Sequence, residues 1–365
     1  MNNLLNIMDN KTKILIIRLS AIGDTIHTIP LACALKKAYP GCTVDWVVED
    51  KAKHFVKNNP AVDNCFIIPR KKWKKRGFSL KNLIEFFIII KNIKKKNYDI
   101  VIDTQQLLKS AIFMGLSGAK RKITHTDGRE FSFIFANEFV KSNRKQFDLN
   151  YHVVERNLDF ARHLGIVNPD IEFALPPSSE ETVEKAKLLL KDINPQKPII
   201  VISPATTWLN KHWKNEHWTN VIELISDKAN ILVTATNNDK QLIDSIIKPS
   251  FKDKIFNLTG KTNLLELTEI FKLSDIVISP DSGSAHIAWA TQKPCVVTIF
   301  CATSKNRTAP FGEKYYSLAA NLSCSPCMKK RCKLKIKKNI CTQEIKPEEV
   351  IIIVNKILQS LKKSV

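Results

Sequence analysis

The stretch from Ile276 to Gly312 constrains the fold more than any other. Ile276, Val277 and Ile278 lead into Ser279-Pro280-Asp281-Ser282-Gly283-Ser284, a cluster of turn and N-cap residues, and then into a short apolar helix from Ala285 to Ala290. Lys293-Pro294 stops that helix, and a second buried-type strand, Cys295 to Phe300, follows at once. The unit is strand, polar loop, helix, strand, as in a parallel α/β sheet. Such sheets bind ligands at the carboxyl ends of their strands, where this loop carries Asp281, Ser282, Gly283 and, one turn into the helix, His286. Backbone N–H groups at a helix start, beside small residues that admit a phosphate, make an anion site. The same Asp281 or Ser282 would serve equally as a helix cap, and His286 as a core histidine.

The pattern recurs along the chain. Lys13 to Leu19 is a continuous apolar run that ends in Ser20-Ala21-Ile22-Gly23-Asp24, with a helix from about Thr25, the opening of a doubly wound domain. Its loop has one glycine, so the G-x-G-x-x-G fingerprint of nicotinamide and flavin enzymes is absent. Asp24 can cap the helix, or it can act as an ionised carboxylate at the mouth of the sheet and take a proton from an attacking hydroxyl. Farther on, the strand Pro198 to Ile202 runs into Ser203-Pro204-Ala205-Thr206-Thr207-Trp208-Leu209-Asn210-Lys211-His212-Trp213. Small hydroxyl residues directly after a strand, with a lysine a few positions on, suit a diphosphate. The passage Leu175-Pro176-Pro177-Ser178-Ser179 reads as a linker, and 365 residues suffice for two domains with separate cores.

The net charge of +22 is unevenly spread. Arg70 to Lys96 holds eleven Lys or Arg against one Glu, and Lys329 to Lys338 holds seven with no acid, so these two segments account for +17 of the total. They point to an anionic partner, nucleic acid or a phosphorylated lipid surface. Base stacking would call for aromatics among the cations, and only Trp73 and Phe78 qualify, which argues against nucleic acid. The helix from about Leu80 to Lys94 reads either as a core helix with solvated ends or as a face seated among lipid headgroups. No apolar run reaches the length of a membrane span, and the opening MNNLLNIMDNK lacks the core of a signal peptide. Five of nine cysteines sit in or beside apolar elements, as reduced cytosolic thiols do. The other four, Cys324, Cys327, Cys332 and Cys341, could hold a structural or adventitious metal, although their spacing is not that of a zinc ribbon.

The run from Ser279 to His286 with its Ala-rich helix, Lys-Pro and Thr303-Ser304 to Arg307 resembles the donor signature of the family 9 glycosyltransferases, the bacterial heptosyltransferases. RLSAIGDTIHTIP resembles that family's amino-terminal motif, and Thr206-Thr207 with Lys211-His212-Trp213 and Glu216-His217-Trp218 resembles its diphosphate segment, most closely that of the first heptosyltransferases. The resemblance implies a type B glycosyltransferase fold, two Rossmann-like domains facing a cleft: residues 1–175 for the acceptor, 176–345 for the donor, and a helix in 346–365 packing back toward the first domain. It implies Asp24 and Lys211 as catalytic residues, and Thr206, Thr207, Lys211, Asp281, Ser282, Gly283 and His286 as donor contacts. Ser20, Arg70, Lys71, Lys109 and Arg129 are the candidate acceptor contacts. Implied too are an ADP-heptose donor, a Kdo-lipid A acceptor, inverting transfer without a metal, and a monomer at the cytoplasmic face of the inner membrane. Gln106 stands where the family's segment has Gly, which leaves that loop's backbone open.

Overall fold

The computed structural model describes Met8 and residues 11–141, 148–336 and 338–363. Most of the opening segment, on which the reading of the amino terminus rests, and Lys337 of the second basic run lie outside the described residues. The chain divides into two compact units, Met1–Pro177 and Ser178–Val365.

Ile14 to Ile17 are all fully buried, so the first strand has no polar face and is covered on both sides, the condition of a parallel sheet. In the first unit β1 (Lys13–Ile17), β2 (Thr43–Glu49), β3 (Asn64–Ile68), β4 (Ile100–Asp103), β5 (Arg121–His125) and β6 (Glu138–Val140) pair in the order β3-β2-β1-β4-β5-β6, every pair parallel. The second unit repeats the winding with β7 (Ile199–Ile202), β8 (Asn230–Val233), β9 (Ile255–Asn257), β10 (Ile276–Pro280), β11 (Cys295–Phe300) and β12 (Tyr315–Ala319) in the order β9-β8-β7-β10-β11-β12. Strand order reverses between β1 and β4, and again between β7 and β10. Loops leaving the carboxyl ends of those strands are where doubly wound sheets bind ligands.

Local sequence explains most elements. Asn263 accepts from the amides of Leu265 and Glu266 while Glu266 accepts from Asn263, a reciprocal cap that starts the helix Leu264–Leu273. Trp213 and Trp218 are buried with their rings 4.9 Å apart, and the Trp213 indole donates to the Ile345 carbonyl, so both anchor the second core as their sequence context suggests. Strand β5 escapes pattern reading because it opens Arg-Lys. Arg121 forks onto Glu138 of the next strand at 2.8 and 2.6 Å, and this ion pair stands at the sheet edge where apolar alternation would otherwise be found.

The helix Pro347–Lys363 falls within the second unit. Val350, Val354, Ile357 and Leu358 form one stripe along it and are buried in the second unit's core, together with Val221 and Ile225. Among the described residues no helix is long and apolar enough to cross a membrane.

Candidate active site

In the first unit the site grows from the ends of β1 and β4. The helix Ile22–Ile26 begins directly after β1, and Asp24 lies in its first turn, where its Oδ2 accepts the Ala21 amide at 3.0 Å. Arg18, buried at the end of the apolar strand, donates through Nη1 to the Thr104 carbonyl at 2.6 Å and through Nη2 to Asp24 Oδ1 at 2.9 Å. The two contacts fix the plane of the carboxylate, while the Asp24 side chain keeps 44% exposure. The helix starts earlier than Thr25, so Asp24 is its third residue and not its N-cap: it accepts the amide of the N-cap Ala21 through Oδ2 and stays at the surface.

The neighbouring loop after β4 is organised by Asp103, which is fully buried and accepts from the Gln105 and Gln106 amides and from the Ser110 hydroxyl. Burial pushes its carboxyl up to about 6, against the lowering effect of those donors and of Arg18. Gln106 adopts φ +59°, so the left-handed turn that a glycine would take is made by a side-chain-bearing residue. Its amide oxygen accepts from Arg156, which also pairs with Asp127. Gln105 Oε1 accepts the Leu19 amide at 2.7 Å, tying this loop to the one that carries Asp24.

The structure brings Ser20 and Lys109 to that place. Lys109 Nζ donates to Ser20 Oγ at 3.2 Å and to the buried Glu49 at 2.8 Å. Arg129 is exposed after β5, and its amide donates to the Gln106 carbonyl. Arg70 and Lys71 follow the edge strand β3, on the far side of β2, and the Lys71 amide donates to Asp50, the neighbour of Glu49. Sequence reasoning missed Arg18, Gln105 and Glu49. A charge ending the run KILIIR was the available signal for the first.

In the second unit the loops after β7 and β10 meet through one buried ion pair. Lys211 Nζ lies 2.6 Å from Asp281 Oδ2 and donates also to the Asp281 carbonyl at 3.2 Å. Thr303 donates to the same carboxylate at 2.7 Å, Thr308 at 3.3 Å, and His286 Nε2 stands 3.3 Å from Oδ1. Burial alone would raise the Asp281 carboxyl, but His286 and Lys211 outweigh it and hold the group far below the carboxylate range. Asp281 is thus spent on its neighbours and positions the lysine. Lys211 uses two of its three N–H donors on Asp281, which leaves the third for a ligand.

Ser282 is the N-cap of the helix Gly283–Thr291, yet its side chain makes no capping bond; its hydroxyl pairs with Ser279 instead. The helix start is therefore not closed by its own cap, and small residues, Gly283 and Ser284, stand there. Thr206 is half-buried and Thr207 exposed on the loop between β7 and Lys211. Trp208 lies under the Lys211 ammonium at 4.8 Å, with Lys330 6.0 Å from the same ring. The second basic run reaches this place because buried Asn210 donates to the Lys329 carbonyl. Asp239 accepts from the hydroxyl and amide of Thr236 and closes its own turn. Cys324, Cys327, Cys332 and Cys341 are free thiols, and among the described residues no three His, Cys, Asp or Glu side chains are grouped to hold a metal ion.

One unit thus carries an anchored lysine beside an open helix start, and the other an oriented carboxylate. Residues 87–338 match the sequence profile of glycosyltransferase family 9 (heptosyltransferase), more than half of the chain. The chain belongs to this family. It is a glycosyltransferase with the family's α/β, type B architecture. Lipopolysaccharide heptosyltransferase 1 of Pseudomonas aeruginosa is 24% identical over 355 residues, 93% of this chain and 96% of that protein. Lipopolysaccharide heptosyltransferase 1 of Campylobacter coli is 28% identical over 312 residues, 81% of this chain and 86% of its own length. The fold matches the crystal structure of a family 9 glycosyl transferase from Veillonella parvula with a TM-score of 0.80 at 18% identity, covering 97% of this chain and 99% of that one.

Proposed function

We propose that this family 9 enzyme transfers L-glycero-D-manno-heptose from ADP-heptose to a Kdo residue of Kdo-lipid A, in lipopolysaccharide inner core synthesis. The observation that carries the reading is Lys211, anchored by Asp281 at the switch point of the second sheet with one donor to spare beside an open helix start. The relatives named above are lipopolysaccharide heptosyltransferases, which supports the sugar and the acceptor class.

In this reading the donor diphosphate lies against Lys211, Thr206, Thr207 and the amides that begin at Gly283, with Ser282 and His286 lining the same loop. The acceptor lies against Ser20, Lys109 and, farther out, Arg70, Lys71 and Arg129. Asp24 accepts the proton of the acceptor hydroxyl as its oxygen bonds to the anomeric carbon of heptose. The bond from that carbon to the ADP oxygen breaks on the opposite face, configuration inverts, and the electron pair leaves with ADP. Lys211 and the backbone donors stabilise the charge that gathers on the departing diphosphate, the part a metal plays elsewhere. The enzyme works as a monomer on the cytoplasmic face of the inner membrane, where its lipid acceptor is.

The test is ADP release from ADP-heptose with and without Kdo-lipid A, in the presence of a chelator, for the wild type and Asp24→Asn. Acceptor-dependent release that survives the chelator and collapses in the variant supports the whole reading. Activity only on an acceptor that already carries heptose would move the assignment to a later heptosyltransferase, and silence with both would overturn the donor.

A further inference from the structure

The helix Leu80–Lys95 has two apolar faces, and only one of them is used by the fold. Phe86, Ile89, Ile90 and Ile93 turn into the first unit's core. Leu80, Leu83, Ile84, Phe87 and Ile88 recur at three- and four-residue spacing and are exposed by 40 to 72%. At 3.6 residues per turn the same outer face continues as Lys91, Lys94 and Lys95, all exposed. Phe78, in the turn that precedes the helix, is 99% exposed.

The helix Arg70–Arg76 stands beside it, with six cations in seven residues and none of them buried. Glu85 is the one acid in the segment 70–96, and it is consumed by Lys72, Arg76 and the Trp73 indole, which tie the two helices together and hold its carboxyl down at about 2. Lys74 and Lys75 therefore face solvent beside an apolar stripe with no acid near in sequence to balance them. A surface that pairs large apolar side chains with cations, and nearly lacks anions, is complementary to one kind of partner: a bilayer with an anionic surface, which takes the apolar groups below its headgroups and the ammonium groups among its phosphates. A protein partner would be met by mixed charge at the rim.

We propose that Phe78 and the outer face of the helix Leu80–Lys95, flanked by the helix Arg70–Arg76, form the surface by which this enzyme docks on anionic membranes. The proposal deepens the functional reading by naming where the enzyme meets the membrane that holds its acceptor, but binding itself is read without sugar or acceptor.

The test is cosedimentation of the full chain with vesicles of phosphatidylcholine alone or mixed with phosphatidylglycerol. Two variants are compared, Phe78→Glu with Ile84→Glu and Lys74→Glu with Lys75→Glu, all at exposed positions outside the core cluster. Binding to the anionic vesicles alone, weakened at least about tenfold by each variant and by high salt for the wild type, supports the surface. Wild-type levels of transfer by both variants to a delipidated, water-soluble acceptor would separate docking from catalysis. Equal binding by wild type and variants overturns the proposal, as does no binding to either vesicle. A concentration-dependent dimer that the Phe78 variant dissolves, without vesicle binding, would assign the face to a second copy and also overturn it. The vesicle-binding outcomes do not depend on which sugar is transferred.

Discussion

The two units carry the same winding, and each has an aspartate beside its switch point, Asp24 after the first strand of its unit and Asp281 after the fourth of the other, yet the two carboxylates are held differently. Asp24 is 44% exposed, paired on one side with Arg18 and capped on the other by a backbone amide, so it presents a fixed plane to whatever binds. Asp281 is 3% exposed and meets Lys211, His286, Thr303 and Thr308. Buried among a lysine, a histidine and two hydroxyls, the Asp281 carboxylate is a group that holds its neighbours in place. Asp103 sharpens the contrast, because it is buried as deeply but is met by neutral donors, and its carboxyl moves up where that of Asp281 moves down.

Five measurements test this division. The largest effect is expected for Asp24→Asn, which should cost about 10²- to 10⁴-fold in kcat while moving the unfolding free energy by no more than about 1 kcal/mol. A large stability loss with near-normal turnover would make Asp24 a cap alone. Asp281→Asn should do both kinds of damage: Lys211 loses its charged partner in a buried place, a cost of about 3–5 kcal/mol by denaturant unfolding, and the donor affinity falls with it. Its depressed carboxyl also sets a sign. The stability it provides is present above the unfolded-state value near 4 and is lost progressively as pH falls below it, so between pH 5 and pH 3 the wild type should lose about 1 kcal/mol more stability than the variant, and more below pH 3.

For Asp103 the sign reverses. The folded state holds its proton up to about 6, so native protein binds more protons than unfolded chain between about pH 4 and pH 6, and stability falls as pH rises through that window. Asp103→Asn should flatten that slope, which is worth at most about 3 kcal/mol; an unchanged pH profile would show that the carboxyl is ionised in the loop throughout.

Gly260 comes next. Its φ is +70°, and a Cβ there would lie 1.8 Å from Asn237 Oδ1, so Gly260→Ala should cost about 1–3 kcal/mol and be partly rescued by Asn237→Ala. If the single variant is neutral, the turn after β9 is not as tight as its geometry states. The smallest effect belongs to Gln106→Gly. Relief of the left-handed strain gains about 1 kcal/mol and the lost hydrogen bond to Arg156 returns a similar amount, so denaturation should shift by less than about 1 kcal/mol.

Much of the architecture was legible because parallel sheets buried on both faces leave unbroken apolar runs. β1, β7, β10 and β11 follow from such runs nearly residue for residue. β5 and β6 did not, since the edge strand and its neighbour, held by an Arg121–Glu138 fork, carry no apolar period. The candidate site was legible in its residue types, with Asp24, Thr206, Lys211 and Asp281 all in segments that follow strand ends. Several of its partners were not, because Glu49 and Thr308 meet Lys109 and Asp281 across tens of residues of chain.

By itself the sequence determined the alternation of strand and helix, the switch loops and the two basic runs, all of which are periodicities or local compositions. Tertiary structure alone decided which aspartate is covered and which is open, and that Lys330 from the second basic run stands over Trp208. It also decided that the helix Pro347–Lys363 spends its apolar stripe on the second unit, and that the helix Leu80–Lys95 keeps one apolar face in water. Burial is a property of what packs against a residue, and an apolar stripe records only that something must cover it, not what.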